Sequence, residues 1–204
     1  MSAATDPLAE LVLPALLHKL GNHTQLLANL NTLLGIEGGA ELALARGEDL
    51  VRASSSVREL GWVMAALASA CGADMMLARR ERSGLRVLAA FVQEALRRKL
   101  RDLHLPREPL PDLAPAAAGG WEVPWALCTL ACERALGGPP GTAVDVGCER
   151  GAPRGWSLWV AGGVRAEAGE ERVRAWLPGA EVESSPERTT LALPDAWLSP
   201  APAA

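Results

Sequence analysis

Apolar and polar positions alternate with the period of an α-helix along the first seventy residues of the chain. Asp6 followed by Pro7 predicts a helix start, because aspartate caps free backbone amides and proline costs nothing at the first helical position. The period continues to Leu34. Pro14 lies inside it, and we expect a kink or a delayed start there, because proline removes a backbone donor.

A glycine-rich turn separates this predicted helix from a second one. Gly35, Gly38 and Gly39 interrupt the period, which resumes near Ala40 and runs towards Cys71. Two long helices joined by a short turn form an antiparallel hairpin. Such a hairpin has more apolar surface than one partner helix covers, so we expect two copies to pair as a dimeric four-helix bundle.

Beyond residue 80 the pattern mixes helices with strands. The helical period predicts helices at 85–103, 121–136 and 170–177. Alternating segments predict strands at 142–149, 155–162 and 188–194. The proline-rich and Ala/Gly-rich stretch at 105–120 is predicted to be a loop or to contain a short edge strand. The fold class is therefore α+β, with a hairpin domain at 1–80 and a second domain at 81–204.

The first helix carries two distinct faces. A heptad-like seam, predicted to face the bundle core, comprises Leu16, Leu20, His23, Leu27, Leu30 and Leu34. Helical geometry places a polar stripe on roughly the opposite side, made of His18, Asn22, Gln25 and Asn29. The two histidines of this helix are therefore predicted to have different surroundings.

Composition narrows the class of protein. The 204 residues carry a formal charge of -4. The chain therefore lacks the broad positive field that binding to nucleic acid requires. The chain begins without a basic, apolar leader, and its apolar stretches are too short to span a bilayer. We therefore expect a cytoplasmic protein without a nucleic acid or membrane partner.

The four cysteines show no C-x-x-C spacing, and no nearby histidine completes a zinc site, so no metal site is predicted.

His18 is the more promising of the two histidines for chemistry. A histidine on such a stripe is often no more than part of a solvated helix face. His23 lies in the leucine seam, where a hydrogen-bonded core histidine is the usual finding. Only His18 is placed for a partner to reach. A neutral imidazole is a competent nucleophile near neutral pH, and an amide one turn away can orient a water or a phosphoryl group.

The segment from His18 to Gln25, HKLGNHTQ, resembles the H-box of sensor histidine kinases, especially the subfamily whose motif reads His-Arg-x-x-Asn-x-x-Gln. In that family the histidine is phosphorylated, and the residue one turn later helps to remove phosphate from the partner aspartate. His18, Asn22 and Gln25 match the motif, whereas Lys19 replaces the usual arginine and Gly21 weakens the helix. The resemblance implies a catalytic set of His18, Asn22, Gln25 and Lys19.

The second half resembles a shortened, degenerate kinase ATPase-like domain, an α/β sandwich. The helix at 121–136 takes the place of the helix whose asparagine holds magnesium in active kinases, yet the chain has no asparagine after Asn31. The adenine-reading aspartate is missing before Gly162 and Gly163, and the glycine-rich lid is absent between Ala175 and Ala180. A tight turn explains the two glycines better than a phosphate site.

These losses leave little to position a triphosphate. The chain then resembles the bacterial histidine phosphotransferases, dimeric kinase-shaped proteins that shuttle phosphate between aspartates of response regulators. The resemblance implies response-regulator receiver domains and a second copy as partners. It also implies no cofactor of its own, because the regulator supplies Mg²⁺.

Two other functions stay open. A non-catalytic dimeric adaptor or kinase inhibitor uses the same bundle without chemistry at His18, and an intact ATP-dependent kinase requires nucleotide binding.

The basic run Arg97, Arg98, Lys99 and Arg101 is more often a solvated helix face than a docking patch for an acidic regulator.

Overall fold

The N-terminal part of the computed structural model is the predicted helical hairpin. Three helices build it: α1 (Pro7–Leu34), α2 (Gly39–Ala45) and α3 (Gly47–Ala70). His23 of α1 faces Ser56 of α3, and Leu34 shares a groove with Gly47, so α1 and α3 run antiparallel. Pro14 lies inside α1, which begins at Pro7, so of the two expected effects, a kink or a delayed start, the delayed start is not observed. The structure describes residues 6–36, 38–45, 47–73, 82–114, 120–151 and 155–200.

The second half is a two-layer α+β unit, as predicted. Its helices are α4 (Gly84–Arg97), α5 (Glu122–Leu136) and α6 (Glu167–Trp176). Its strands are β1 (Asp102–His104), β2 (Asp112–Leu113), β3 (Ala143–Gly151), β4 (Gly155–Gly162), β5 (Glu181–Ser184), β6 (Arg188–Leu193) and β7 (Leu198–Ser199). Five strands form one sheet in the order β1-β3-β4-β6-β5, in which β1 and β3 are parallel and the other neighbours antiparallel. The predicted edge strand of the proline-rich stretch is β2, which pairs with β7, while residues 115–119 of that stretch lie outside the described residues.

The sheet has one buried face and one solvated face. Val146, Val160 and Thr189 occupy one row of paired positions and are buried beneath the helices. On the next row, Trp159 lies over Gly147 and the Arg188 guanidinium stacks on the indole, 4.7 Å from the ring centroid. This alternation is the pattern expected of a sheet that is covered on one side.

The predicted helix at 85–103 is wrong at its C-terminal end. Helix α4 ends at Arg97, and Asp102–His104 is strand β1, paired with β3 some forty residues later. Leu100 takes a left-handed backbone conformation, with φ of 56°, which ends the helical turn. The Arg101 guanidinium then donates to the carbonyl oxygens of Ala135 and Gly138, so this arginine fastens the turn to the end of α5.

One apolar core continues from the hairpin into the second half. Leu8 and Val12 of α1 are fully buried in the same cluster as Leu88 of α4 and Trp125 of α5. The first turns of α1 therefore belong to the core of the second half as well as to the hairpin. Within the part of the chain that the structure describes, no helix is long and apolar enough to cross a bilayer.

Candidate functional site

The base of α1 is fixed in two ways. The Asp6 carboxylate caps the helix by accepting from the backbone amide of Leu8 at 3.0 Å. Its other oxygen accepts from the Trp125 indole at 2.8 Å, which ties the cap to α5. Because this end is both capped and buried, side chains three to four turns further along α1 stand on a rigid support.

His18 lies exposed on that support, in contact with Asn22. The Asn22 amide nitrogen donates to His18 Nε2 across 3.3 Å. An amide nitrogen only donates, so this contact forms a hydrogen bond when Nε2 carries no proton. The contact therefore orients His18 Nε2 on an exposed helix face.

The other two members of the predicted set have different partners. Gln25 donates to Asn29 Oδ1 at 2.9 Å, one turn further along the stripe. Lys19 reaches α4, where its Nζ lies 2.6 Å from Glu94 Oε2 and 5.1 Å from the centroid of Phe91. The structure thus brings His18 and Asn22 together, and it places Gln25 and Lys19 in other contacts.

The Glu94 carboxylate forms ion pairs with two side chains, Lys19 and Arg98. Besides Lys19, it accepts from Arg98 Nη2 at 3.0 Å on Oε1. The hydrogen bond from Lys19 is the largest cause that holds the pKa of Glu94 below its ordinary value, with the two positive charges as further causes and partial burial acting the opposite way. A charged chain therefore runs from the residue beside His18 to the C-terminal turn of α4.

The remaining histidines make structural contacts. His23 Nε2 lies 2.9 Å from Ser56 Oγ, which joins α1 to α3 across the hairpin, as predicted for a hydrogen-bonded seam histidine. It is half-buried rather than buried. His104 of β1 lies 3.0 Å from Asp145 of β3 on the solvated sheet face. Sequence reasoning did not single out His104, because its partner is brought to it only by the parallel strand pairing.

A cleft of about 360 Å³ lies between α3 and α4. Its apolar lining includes Leu60 and Val63 of α3 and Phe91 of α4, and Lys19 and Glu94 line it as well. Sequence reasoning missed this cleft because it depends on how far apart the two helices pack.

A second, strongly apolar groove lies at the far end of the hairpin. Its volume is about 620 Å³, and it lies between α1 and α2. Leu27 and Leu34 are 58% and 60% exposed there, and Leu44 is 80% exposed. The predicted seam therefore divides within this chain: Leu16 and Leu30 are buried, Leu20 and His23 are half-buried, and Leu27 and Leu34 face solvent.

The second half uses its glycines and cysteines for packing. Gly162 and Gly163 both take positive φ and form the tight turn predicted after β4, and the Gly162 carbonyl accepts from the buried Arg134 at 2.6 Å. Cys128 and Cys132 lie in α5, and burial raises the pKa of both thiols, that of Cys132 to about 12. Both thiols are therefore neutral at physiological pH. Among the described residues, no group of three acidic, histidine or cysteine side chains is placed to hold a metal ion.

Comparisons with known proteins give a limited result. No protein-family model and no curated protein matches the sequence. The histidine kinase domain from the Erythrobacter litoralis EL346 blue-light activated histidine kinase is similar in structure, with a TM-score of 0.43 and 13% identity over 85% of this chain and 95% of that one. The Erythrobacter litoralis EL346 blue-light activated histidine kinase gives a TM-score of 0.42 and 15% identity over 82% and 62% of the two chains. Similarity at this level carries no argument about function.

Proposed function

We propose that this chain is a histidine phosphotransferase of a two-component phosphorelay, in which His18 exchanges a phosphoryl group with receiver aspartates. The observation that carries the proposal is an exposed His18 on a rigidly anchored helix, with Nε2 held by the amide of Asn22. The match of HKLGNHTQ to the H-box supports it.

The phosphoryl transfer requires no cofactor bound to this chain. The Nε2 lone pair attacks the phosphorus of an aspartyl phosphate, so that an N–P bond forms while the P–O bond to the carboxylate breaks and the carboxylate leaves. The receiver supplies Mg²⁺, and the reverse step returns the phosphoryl group. An outward histidine on a fixed helix supplies the in-line approach that such a transfer requires.

Asn22 has two roles in this proposal. In the resting arrangement its amide nitrogen lies 3.3 Å from His18 Nε2 and orients the ring. During transfer the same amide releases Nε2 and donates to a phosphoryl oxygen or a water. Asn22→Ala should therefore change the rate of transfer or dephosphorylation while the unfolding free energy stays within about 0.5 kcal/mol, as is usual for an exposed side chain.

We also propose that the second half does not use ATP. The chain has no asparagine after Asn31, and Gly162, the last residue of β4, forms with Gly163 a turn tied to Arg134. Helix α6 is followed within a few residues by β5, which leaves no length for a lid. Titration with a fluorescent nucleotide and magnesium should give a dissociation constant above about 1 mM, since no asparagine follows Asn31 to hold magnesium on the nucleotide. Submillimolar affinity would favour a divergent kinase.

Finally, we propose that the chain is a homodimer paired through the far end of the hairpin. Leu27, Leu34 and Leu44 are large apolar side chains that face solvent around one groove, and exposed apolar patches of this kind mark interaction sites. Light scattering at micromolar concentration should give twice the chain mass. A monomer at that concentration contradicts the pairing.

The deciding experiment is transfer of label from phosphorylated receiver domains. The wild type should be labelled, and the label should be labile in acid and stable in base, as a phosphoramidate is. His18→Ala should lose the label with the fold intact. His23→Ala is the matched control, which should keep the label and lose only the contact to Ser56. If no receiver labels the wild type, or if His18→Ala is still labelled, the non-catalytic adaptor becomes the better explanation.

A further inference from the structure

We infer that the solvated face of the five-stranded sheet binds a basic, arginine-bearing segment of a partner protein in an extended conformation. In this arrangement one arginine of the segment takes the place of Arg188 over the Trp159 indole, and its other arginines pair with carboxylates on either side. The inference goes beyond the proposed function, because this face points away from the helices and takes no part in the transfer at His18.

The strand register places an excess of negative charge on this face. Alternate residues of each strand point away from the helices, and the exposed carboxylates among them are those of Asp102, Asp145, Glu149, Glu181 and Glu183. Among the described residues of these rows, the basic side chains are those of Arg188 and His104, and His104 lies 3.0 Å from Asp145. Charge complementarity therefore favours a basic partner and disfavours an acidic one.

Small side chains surround the one aromatic ring of this face. The outward positions next to Trp159, on its own strand and on its two neighbours, are Gly147, Ser157, Ala161, Thr190 and Ala192. The indole lies over Gly147 so closely that a methyl group there would collide with the ring. Short neighbours leave room for a polypeptide segment to reach the indole.

Arg188 shows what kind of group the indole binds. Its guanidinium carbon lies 4.7 Å from the Trp159 ring centroid, and its Nη2 lies 3.0 Å from Glu149 Oε1, so an aromatic ring and a carboxylate hold one guanidinium together. The side chains of Arg188 and Glu149 are 40% and 59% exposed, which makes this a weak ion pair. Within the described part of the chain Arg188 Nε is buried without a hydrogen-bond partner, so Arg188 regains hydration when another arginine replaces it.

The spacing of the carboxylates fits an extended segment that crosses the strands. Glu149 of β3 and Glu181 of β5 lie in one row of paired positions, three strand spacings or about 14 Å apart. In an extended chain, residues four positions apart are separated by about 13 Å, and alternate side chains share one side. Arginines at alternate positions of such a segment therefore reach Glu149, Trp159 and Glu181.

A purely structural explanation covers part of this pattern. An open sheet face carries polar side chains because it is solvated, and charged residues on an edge strand prevent pairing with another sheet. That explanation is sufficient for Glu181 and Glu183 on the edge strand β5. It does not explain why Asp145 and Glu149 of the inner strand β3 have the same sign. The two explanations differ in whether a basic segment binds to the face.

The test is a calorimetric titration of the full chain at low ionic strength with the capped pentapeptide Arg-Ser-Arg-Ser-Arg. The matched probe has citrulline in place of each arginine, which keeps the shape and removes the charge. The arginine peptide should bind with a submillimolar Kd, about tenfold more tightly than the citrulline peptide, because several exposed charge pairs each contribute a small amount. Added salt should remove most of this difference.

Paired carboxylate variants locate the charge that is recognised. Glu181→Gln combined with Glu183→Gln should weaken binding of the arginine peptide about fivefold, because both carboxylates at the β5 side of the face are lost. The matched control combines Glu10→Gln on α1 with Glu171→Gln on α6, both exposed. It changes the net charge by the same amount away from this face and should bind like the wild type.

Arg188→Ala tests the place over the indole. It uncovers the Trp159 ring and releases Glu149, so the arginine peptide should bind about threefold more tightly than to Arg97→Ala, an exposed control with the same change of charge. Trp159→Leu in the Arg188→Ala background should abolish that gain. Circular dichroism and melting that match the parent chain establish that each variant is folded.

Several results would overturn the inference. It is wrong if the arginine peptide does not bind, or if the citrulline peptide binds equally well. It is also wrong if the Glu181/Glu183 variant matches its control, because the charge is then not recognised on this face. If Arg188→Ala binds no more tightly than Arg97→Ala, the indole is not the site of the incoming arginine, and the inference fails. None of these results affects the labelling of His18, so the proposed function stands or falls separately.

Discussion

The two ends of helix α1 carry similar leucines and use them differently. At the base, Leu8, Leu11 and Leu16 are at most 6% exposed, packed in a core shared with α4 and α5. At the tip, Leu27 and Leu34 are more than half exposed beside an open apolar groove. The base is stabilised by the chain's own fold, whereas large apolar side chains at the tip face solvent within the described residues.

This difference shows what a hydrophobic period does and does not determine. The period fixes which side of a helix is apolar, because side chains at spacings of three and four share a face. It does not fix what covers that side. On α1 the second half of the chain covers the base and stops short of the tip, so a single stripe serves intramolecular packing at one end and, as we propose, dimerisation at the other.

The largest expected effect compares the two ends directly. Leu8→Ala should lower the free energy of unfolding by about 3 kcal/mol, because it removes a fully buried side chain and leaves a cavity. Leu27→Ala makes the same chemical change at the exposed tip and should cost less than about 1 kcal/mol in the monomer. Urea unfolding followed by circular dichroism, at a low protein concentration, measures both. Equal costs would mean that the base is not part of the common core.

The second prediction tests the tip alone. Leu27→Glu should weaken dimerisation by about 3 kcal/mol, because it places an unpaired charge in an apolar interface, which is roughly a hundredfold in the dissociation constant. Sedimentation across a concentration series measures the shift. Leu30 is a poorer probe, since it is buried within the chain and its replacement also damages the hairpin. Ala175→Glu on α6 is the control, and a dimer unaffected by Leu27→Glu places the interface elsewhere.

Local patterns predicted most of the fold. The hairpin, α5, β3, β4 and β6 follow from periods of 3.6 or 2 that are bounded by glycine and proline. The three-residue β1 was predicted as the end of a helix, because Leu96, Leu100 and Leu103 continue the helical period. Only the pairing with β3 and the left-handed Leu100 decide otherwise. The short strands β5 and β7 were not predicted, since they too depend on distant partners.

The candidate site could be predicted only where its contacts are local. His18 and Asn22 are four residues apart on one helix, so their contact follows from helical geometry. The partner of Lys19 is 75 residues away in sequence, and that of His23 is 33 residues away. Neither partner can be read from the pattern around the histidines. The cleft beside Lys19 and the link to Arg98 therefore emerged only from the packing of α4 against α1.

The third prediction concerns the clamp at the base. Asp6→Ala removes the helix cap and leaves the Trp125 indole without its acceptor, so it should lower the free energy of unfolding by about 2 kcal/mol. Asp6→Asn retains one carbonyl oxygen, which can serve the cap or the indole but not both, and should cost about half as much. Chemical unfolding measures the loss of stability in both variants. If Asp6→Ala costs nothing, the cap and the indole contact do not hold the base of α1.

The smallest expected effect lies between the two ends, at the contact of Lys19 with Glu94. Because the pKa of Glu94 is lowered from its ordinary value of 4.5, the folded state binds fewer protons than the unfolded state as the pH falls through this range. The stabilisation that the Lys19–Glu94 pair adds is therefore fully present when the pH is above the ordinary pKa of 4.5. It is lost as the pH drops through the lower pKa that Glu94 has in the folded state. Both side chains are partly exposed, so it should stay under about 1 kcal/mol. Lys19→Met keeps an aliphatic side chain of similar length and removes the ammonium group that contacts Glu94 and lies over Phe91. The difference in unfolding free energy between the wild type and Lys19→Met should be constant from pH 7 to about 5.5 and shrink towards pH 3.

Glu94→Gln in both backgrounds should abolish that pH dependence, because it removes the titrating group while leaving the histidines in place. A difference that stays flat with pH would show that Lys19 acts through its contact with Phe91 and not through the ion pair with Glu94.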